Sequence, residues 1–129
     1  MAKKAKWIDQ GIVVTKVFLG LCTTERQFLR EMRKLCVSPN AEWAPDNGAR
    51  THFLVNKKNM ICCLVCLNPA KGKSIEAYAL LVHEISHVWD HIAADLDERN
   101  PSSEFKAYGM QQLFLNYADA YKKLKKRGK

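Results

Sequence analysis

Two histidines and a glutamate in the segment HEISH, residues 83–87, have the spacing of a hydrolytic zinc site. His83 and His87 lie four residues apart, so in an α-helix their side chains share one face, about 6 Å apart along the axis, where both imidazoles can reach one ion. Zinc binds neutral imidazole readily. Glu84 lies beside that face without pointing at the ion, which suits it to accept a proton from a water that the ion activates. The pattern predicts zinc ligands at His83 and His87 and a general base at Glu84.

The residues around the segment favour a metal over a chance pair of histidines. Residues 77–82, AYALLV, are apolar around the whole helix circumference, as in a helix buried at the centre of a domain. Burying two histidines and a glutamate without a partner is costly, and an ion that takes the imidazole lone pairs relieves that cost. The alternative is an amphipathic helix whose polar face carries two histidines by chance.

A catalytic zinc ion needs a third protein ligand and an open position. His91 repeats the four-residue step, but it lies about 12 Å from His83 along the axis, so the three histidines cannot share one ion. Four carboxylates share the helix but lie roughly 10 Å or farther from the nearer histidine. These are Glu76, Asp95, Asp97 and Glu98.

Glu104 is the predicted third ligand. Residues 100–103, NPSS, end one helix and offer a serine cap for the next, so Glu104 falls in the first turn of a returning helix. A short loop makes two helices antiparallel neighbours, which can bring the carboxylate back over the histidines. The alternative is an ordinary acidic residue that the helix dipole favours at an N-terminus.

Two further residues have weaker assignments. Tyr108 lies one helical turn after Glu104 and can point its hydroxyl toward the metal region, where it would stabilise an oxyanion, or can pack as an amphipathic residue. Asp90 follows His87 by three residues and can accept the proton on the other nitrogen of that ring, or can be a solvated carboxylate.

These motifs resemble a known group, the zincins of the glutamate-ligand type, whose signature is HExxH with a glutamate from the following helix. HEISHVWD followed by NPSSEFKAYGMQQ looks more closely like small metallopeptidase-like proteins encoded in phage and prophage genomes, a family without an assigned substrate. It is also similar to the ImmA/IrrE-type peptidases. The resemblance implies His83, His87 and Glu104 as Zn²⁺ ligands and Glu84 as catalytic base. In the zincins, an edge strand of the sheet pairs with an extended peptide across the metal cleft.

The positive charge of the chain, +8, is concentrated at its ends. Residues 1–6 and 122–129 are rich in lysine, whereas residues 7–121 carry nearly equal numbers of basic and acidic residues. Basic tails can contact nucleic acid without sequence specificity, although they more often aid solubility.

The five cysteines do not predict disulfides, because their number is odd and the N-terminal stretch lacks an export signal. Cys63 and Cys66 have a two-residue gap, but no second pair follows at zinc-knuckle spacing, and a buried strand that uses cysteine as a small hydrophobe fits better. We therefore expect a cytoplasmic protein of a bacterial host cell, with no membrane segment.

The order of predicted strands and helices that would position the site indicates an α+β fold. We expect one zincin-like domain over residues 1–129: a small three-stranded, mainly antiparallel sheet packed on helices, with the HEISH helix central. The predicted strands cover residues 11–21, 51–55 and 60–67, the last two joined by a turn at 56–59. The predicted helices cover residues 23–36, 74–99 and 103 into the lysine-rich end. Either strand 60–67 or strand 11–21 could be the peptide-binding edge.

The leading functional hypothesis is a zinc-dependent peptidase that acts on a peptide or protein substrate. The alternative is a non-catalytic zinc protein of phage assembly or nucleic-acid association, in which a closed structural site uses the same ligands and the tails supply contacts. A metal-free remnant of a peptidase fold is a third interpretation.

Overall fold

The computed structural model describes residues 5–8, 17–35, 41–55, 58–70, 72–98 and 100–127. Within these ranges the chain combines one sheet with three helices, which confirms the predicted α+β class. The elements in chain order are β1 (Lys6–Ile8), β2 (Phe18–Cys22), α1 (Glu25–Leu35), β3 (Gly48–Val55), β4 (Ile61–Asn68), α2 (Ser74–Asp95) and α3 (Ser103–Arg127).

The sheet differs from the expected one in its number of strands and in the direction of one strand pairing. It has four strands in the order β1-β2-β4-β3, and it is mixed, because β2 runs parallel to β4 while the two outer pairings are antiparallel. The predicted number of three strands is therefore wrong, and the parallel pairing of β2 with β4 was not predicted, although the other two pairings are antiparallel. With three residues, β1 is too short to show an alternating pattern. The parallel pairing has no local turn signal, because the chain passes through α1 and β3 before β4 reaches β2.

The other predicted elements are found close to their expected bounds, and α3 continues through the lysines that follow residue 121. The predicted strand over residues 11–21 is observed from Phe18 as β2, and its residues 11–16 lie outside the described part of the chain. The same holds for residues 56 and 57 of the predicted turn, and for residues 1–4 and 128–129 of the basic ends.

Strand β4 lies at the centre of the molecule and is buried on both faces. Cys63, Val65 and Leu67 belong to the core between the sheet, α2 and α3. The alternate residues, Cys62, Leu64 and Cys66, belong to the core on the α1 side. A strand covered on both faces has a nearly continuous apolar sequence. The cysteines of β4 are free and buried, which confirms that they act as small hydrophobic residues.

Helices α2 and α3 form an antiparallel hairpin that covers one face of the sheet. Ser102 caps α3, since its Oγ accepts a 3.2 Å hydrogen bond from the backbone N–H of Phe105. The Phe105 ring then packs edge-on against Trp89 of α2, at 5.5 Å between ring centroids. At the other end of the hairpin, Lys125 Nζ donates to Ser74 Oγ at 2.7 Å. Across the described ranges, no helix is both long enough and apolar enough to cross a membrane.

Candidate functional site

The two histidines of the HEISH segment lie side by side on the exposed face of α2. The ring centroids of His83 and His87 are 5.1 Å apart and the ring planes are inclined by 75°. The His83 side chain is 70% exposed, so its nitrogens are open to an incoming ion or ligand. The predicted pairing of these rings on one helix face is confirmed.

Glu84 lies at the boundary between this exposed face and the core. The residue is 6% exposed, which is low for a carboxylate. Its Oε1 accepts a 2.8 Å hydrogen bond from the hydroxyl of Thr51, and its Oε2 lies 3.9 Å from His83 Nε2. One oxygen is therefore held by the sheet while the other lies near His83.

Thr51 reaches Glu84 because β3 runs beside α2. Alternate side chains of a strand point to opposite faces. Thr51 contacts Glu84, and Phe53 stacks on His91 with ring centroids 4.4 Å apart. His52 points the other way and stacks on Phe28 of α1. No local sequence pattern indicates the contact between Thr51 and Glu84, since 33 residues separate them.

Strand β3 is also the edge strand beside the histidines. In the described sheet, β4 lies between β2 and β3, and β2 lies between β1 and β4. β4 and β2, the described parts of the two strands that the sequence suggested as the peptide-binding edge, are thus interior in the described sheet. β2 and β4 are interior strands because they pair with each other in parallel, and the sequence pattern did not indicate this pairing.

Glu104 and Tyr108 lie on a different side of the helical hairpin. Glu104 is exposed in the first turn of α3. It precedes the buried Leu113 by nine residues, which places the two side chains about 180° apart around the helix. Tyr108 is 62% exposed and follows Glu104 by four residues, so it shares that outward face.

The histidines also point away from α3. Trp89, which packs against α3, follows His87 by two residues, about 200° around α2. Consistent with this, the described residues contain no group of three or more histidine, cysteine, aspartate or glutamate side chains arranged to hold a metal ion. The structure brings His83, Glu84 and His87 together and leaves Glu104 apart. Asp90 is exposed on α2, one turn after His87.

A pocket of about 710 Å³ opens next to His83 and Glu84. One wall is the N-terminal half of α2, and the other is formed by the start of β3 with residues of the preceding turn. Pockets that bind small ligands have volumes of about 300–1,000 Å³. His83 and Glu84 therefore lie at the side of a cleft large enough to hold part of a ligand.

Comparison of the chain with protein-family models, with curated proteins and with solved structures found no match.

Proposed function

We propose that this chain is a zinc-dependent peptidase in which His83 and His87 bind the ion and Glu84 is the general base. The observation that carries the proposal is the arrangement of Glu84. Its carboxylate is buried, one oxygen accepts a hydrogen bond from Thr51, and the other lies near the exposed imidazole of His83 beside a cleft. A buried carboxylate positioned in this way is typical of a catalytic group rather than of a surface residue.

The separation of the two histidine rings supports a shared zinc ion. Zinc–imidazole bonds are about 2.0–2.1 Å long, and two imidazoles on one tetrahedral ion have ring centroids about 5 Å apart. The centroids of His83 and His87 are separated by 5.1 Å. When bound, zinc supplies a Lewis acid that polarises a peptide carbonyl and lowers the pKa of water to about 7.

The role of Glu84 is to move one proton. Thr51 orients the carboxylate through Oε1, and we assign Oε2, on the side of His83, as the oxygen that accepts a proton from the attacking water. Glu84 then delivers that proton to the amine of the leaving peptide. Burial at this position keeps bulk water away from the carboxylate and holds its orientation between the two transfers.

We assign the peptide backbone of the substrate to the edge of β3. This strand lies beside the candidate catalytic residues and has one hydrogen-bonding neighbour, β4, in the described sheet. An extended peptide can pair with such an edge through main-chain hydrogen bonds. The free, buried cysteines suit a reducing compartment, and we place the activity in the cytoplasm of a bacterial cell.

Glu104 remains the proposed third ligand, and this assignment requires a movement. Its carboxylate leaves α3 on the side opposite Leu113, so Glu104 would hold the ion only if the start of α3 were to rearrange toward the histidine face. Tyr108 shares the outward face of Glu104, and its proposed role at the oxyanion depends on the same rearrangement.

Zinc affinity of two glutamate variants tests this part of the proposal. We expect Glu104→Ala to weaken zinc binding by about tenfold or more, whereas Glu98→Ala, which removes another exposed carboxylate near the same loop, leaves it unchanged. Unchanged zinc affinity in Glu104→Ala would reject this residue as the third ligand.

Proteolysis of an unfolded protein substrate tests the activity itself. The protein loaded with zinc should cleave reduced, denatured casein, and cleavage should stop when a chelator removes the ion. Absence of cleavage by protein that holds one zinc per chain would overturn the peptidase proposal and favour a structural zinc site.

A further inference from the structure

The cleft beside Glu84 extends away from the histidines along α2. His83 and Glu84 mark one end, Ala79 and Leu80 lie one turn earlier, and Glu76 lies one turn earlier again. The cleft therefore continues for about 10 Å beyond the candidate catalytic residues. A substrate whose scissile bond lies at Glu84 would place a neighbouring side chain in this extension.

The walls of this extension are mostly apolar and small. Ala49 at the start of β3 and Ala70 after β4 lie across from Ala79 and Leu80 of α2. Small side chains on both walls leave the volume open, and apolar atoms gain free energy when a ligand covers them.

The charged groups of the extension do not select a charged ligand. Lys73, the N-cap residue of α2, and Glu76 in the first turn of that helix carry opposite charges, so the extension beyond Glu84 has no net charge from its lining. A charged side chain placed between apolar walls would lose hydration without a dedicated partner. An apolar side chain has no such penalty.

From these observations we infer that the cleft lined by Ala49, Ala79 and Leu80 is a specificity pocket that takes one large apolar side chain, such as leucine or phenylalanine, next to the scissile bond. This inference rests on the proposed function for the position of the scissile bond. Ala79 controls the pocket, because it is exposed in the free protein and a larger side chain there would fill the space without disturbing the core.

Peptide binding by NMR titration tests the pocket independently of turnover. The background is Glu84→Gln, and the probes are acetylated tetrapeptide amides of sequence Ala-Ala-X-Ala, where X is leucine, phenylalanine, aspartate or lysine. We expect the leucine and phenylalanine peptides to bind about tenfold more tightly than the charged ones, and to shift the amide resonances of Ala49 and Ala79.

Two tryptophan variants provide the matched comparison. Ala79→Trp should remove the preference for leucine and phenylalanine, whereas Ile75→Trp, on the same helix at a residue that is 83% exposed and does not line the cleft, should keep it. Thermal unfolding of both variants checks that they fold.

The results separate the pocket from the peptidase activity. Equal affinity for all four peptides would overturn the proposal that this cleft is a specificity pocket. A preference for leucine and phenylalanine that survives in a folded Ala79→Trp variant would overturn it too. Zinc content is measured on the same samples. A preference that persists in protein unable to bind zinc would support the pocket while removing the proposed peptidase chemistry.

Discussion

The hydroxyl of Thr51 donates a 2.8 Å hydrogen bond to Oε1 of Glu84, joining the edge strand β3 to the HEISH helix. This contact fixes one oxygen of a carboxylate that is 6% exposed, and it leaves the second oxygen 3.9 Å from His83 Nε2. The orientation of the proposed base thus depends on a residue outside the helical motif.

Replacing Thr51 with valine should reduce turnover more than substrate binding. Valine has a similar shape but no hydroxyl, so Glu84 loses the bond that orients it, and we expect kcat to fall about tenfold to a hundredfold with little change in KM. Loss of a partner for a buried carboxylate oxygen should also lower the free energy of unfolding by about 1–3 kcal/mol.

Thr51→Ser is the control for this variant, because serine keeps the hydroxyl. It should restore most of kcat. If Thr51→Val retained the kcat of the unmodified protein, Thr51 would have no positioning role, whatever its effect on stability.

Replacing Glu84 with glutamine should retain zinc and remove nearly all proteolysis. Glutamine keeps a carbonyl oxygen that can accept the bond from Thr51, so the fold and the histidine pair should persist, while the amide cannot accept the proton from water. Zinc content and casein cleavage are measured on the same preparation. Substantial cleavage by this variant would reject Glu84 as the general base.

Gly109 should be intolerant of even one methyl group. A Cβ at this residue of α3 would overlap Trp89 Cζ3 and lie 2.7 Å from Trp89 Cη2. On an open helix face, alanine in place of glycine would stabilise by about 1 kcal/mol. Here we expect Gly109→Ala to destabilise the protein by about 1–3 kcal/mol, measured by urea unfolding, because the ring must shift within a packed core.

A second substitution checks the cause of that loss. In a Trp89→Leu background, the extra methyl group has room, so Gly109→Ala should lower the free energy of unfolding much less than it does in the unmodified protein. An equal loss of free energy of unfolding in both backgrounds would show that the contact with Trp89 does not cause the destabilisation.

Alkaline pH should destabilise the fold through its buried thiols. Burial raises the pKa of Cys63 from 9.0 to about 12, with smaller contributions from Cys62 and Asp95. An unfolded chain releases the Cys63 proton near pH 9, while the folded protein retains it. The contribution of Cys63 to the free energy of unfolding is therefore fully present below pH 9 and is lost as pH rises toward 12. Over that window the thiol contributes a slope of up to about 1.4 kcal/mol per pH unit.

Two variants of β4 isolate this thiol. Cys63→Ala should lose stability less steeply above pH 9 than the unmodified protein, as measured by urea unfolding from pH 7 to 11. Val65→Ala removes side-chain volume from the same face of the same strand without removing a titratable group, so it should keep the original slope. Equal slopes for both variants would contradict the assignment to Cys63.

The sequence predicted those features that are local in the chain. His83, Glu84 and His87 lie within five residues, so helical geometry alone placed their side chains near one another. The β3–β4 hairpin and the serine cap of α3 are likewise encoded by neighbouring residues.

The features that the sequence did not predict depend on contacts between distant residues. The parallel pairing of β2 with β4 joins residues more than 40 positions apart, as for Phe18 and Cys62, and no turn motif marks it. The hydrogen bond from Thr51 and the outward direction of Glu104 both depend on how α2 packs against its neighbours. Periodicity fixes which residues share a face but does not fix which element that face meets.

Zinc content of the purified protein is the most direct test of the central claim that His83 and His87 bind a catalytic ion. It is measured by elemental analysis after repletion and dialysis, on protein prepared without metal-affinity steps. We predict one zinc per chain in the unmodified protein and in His91→Ala, a change of another histidine on the same helix, and none in His83→Ala or His87→Ala. No stoichiometric zinc in the unmodified protein, or equal zinc in all four proteins, would contradict it.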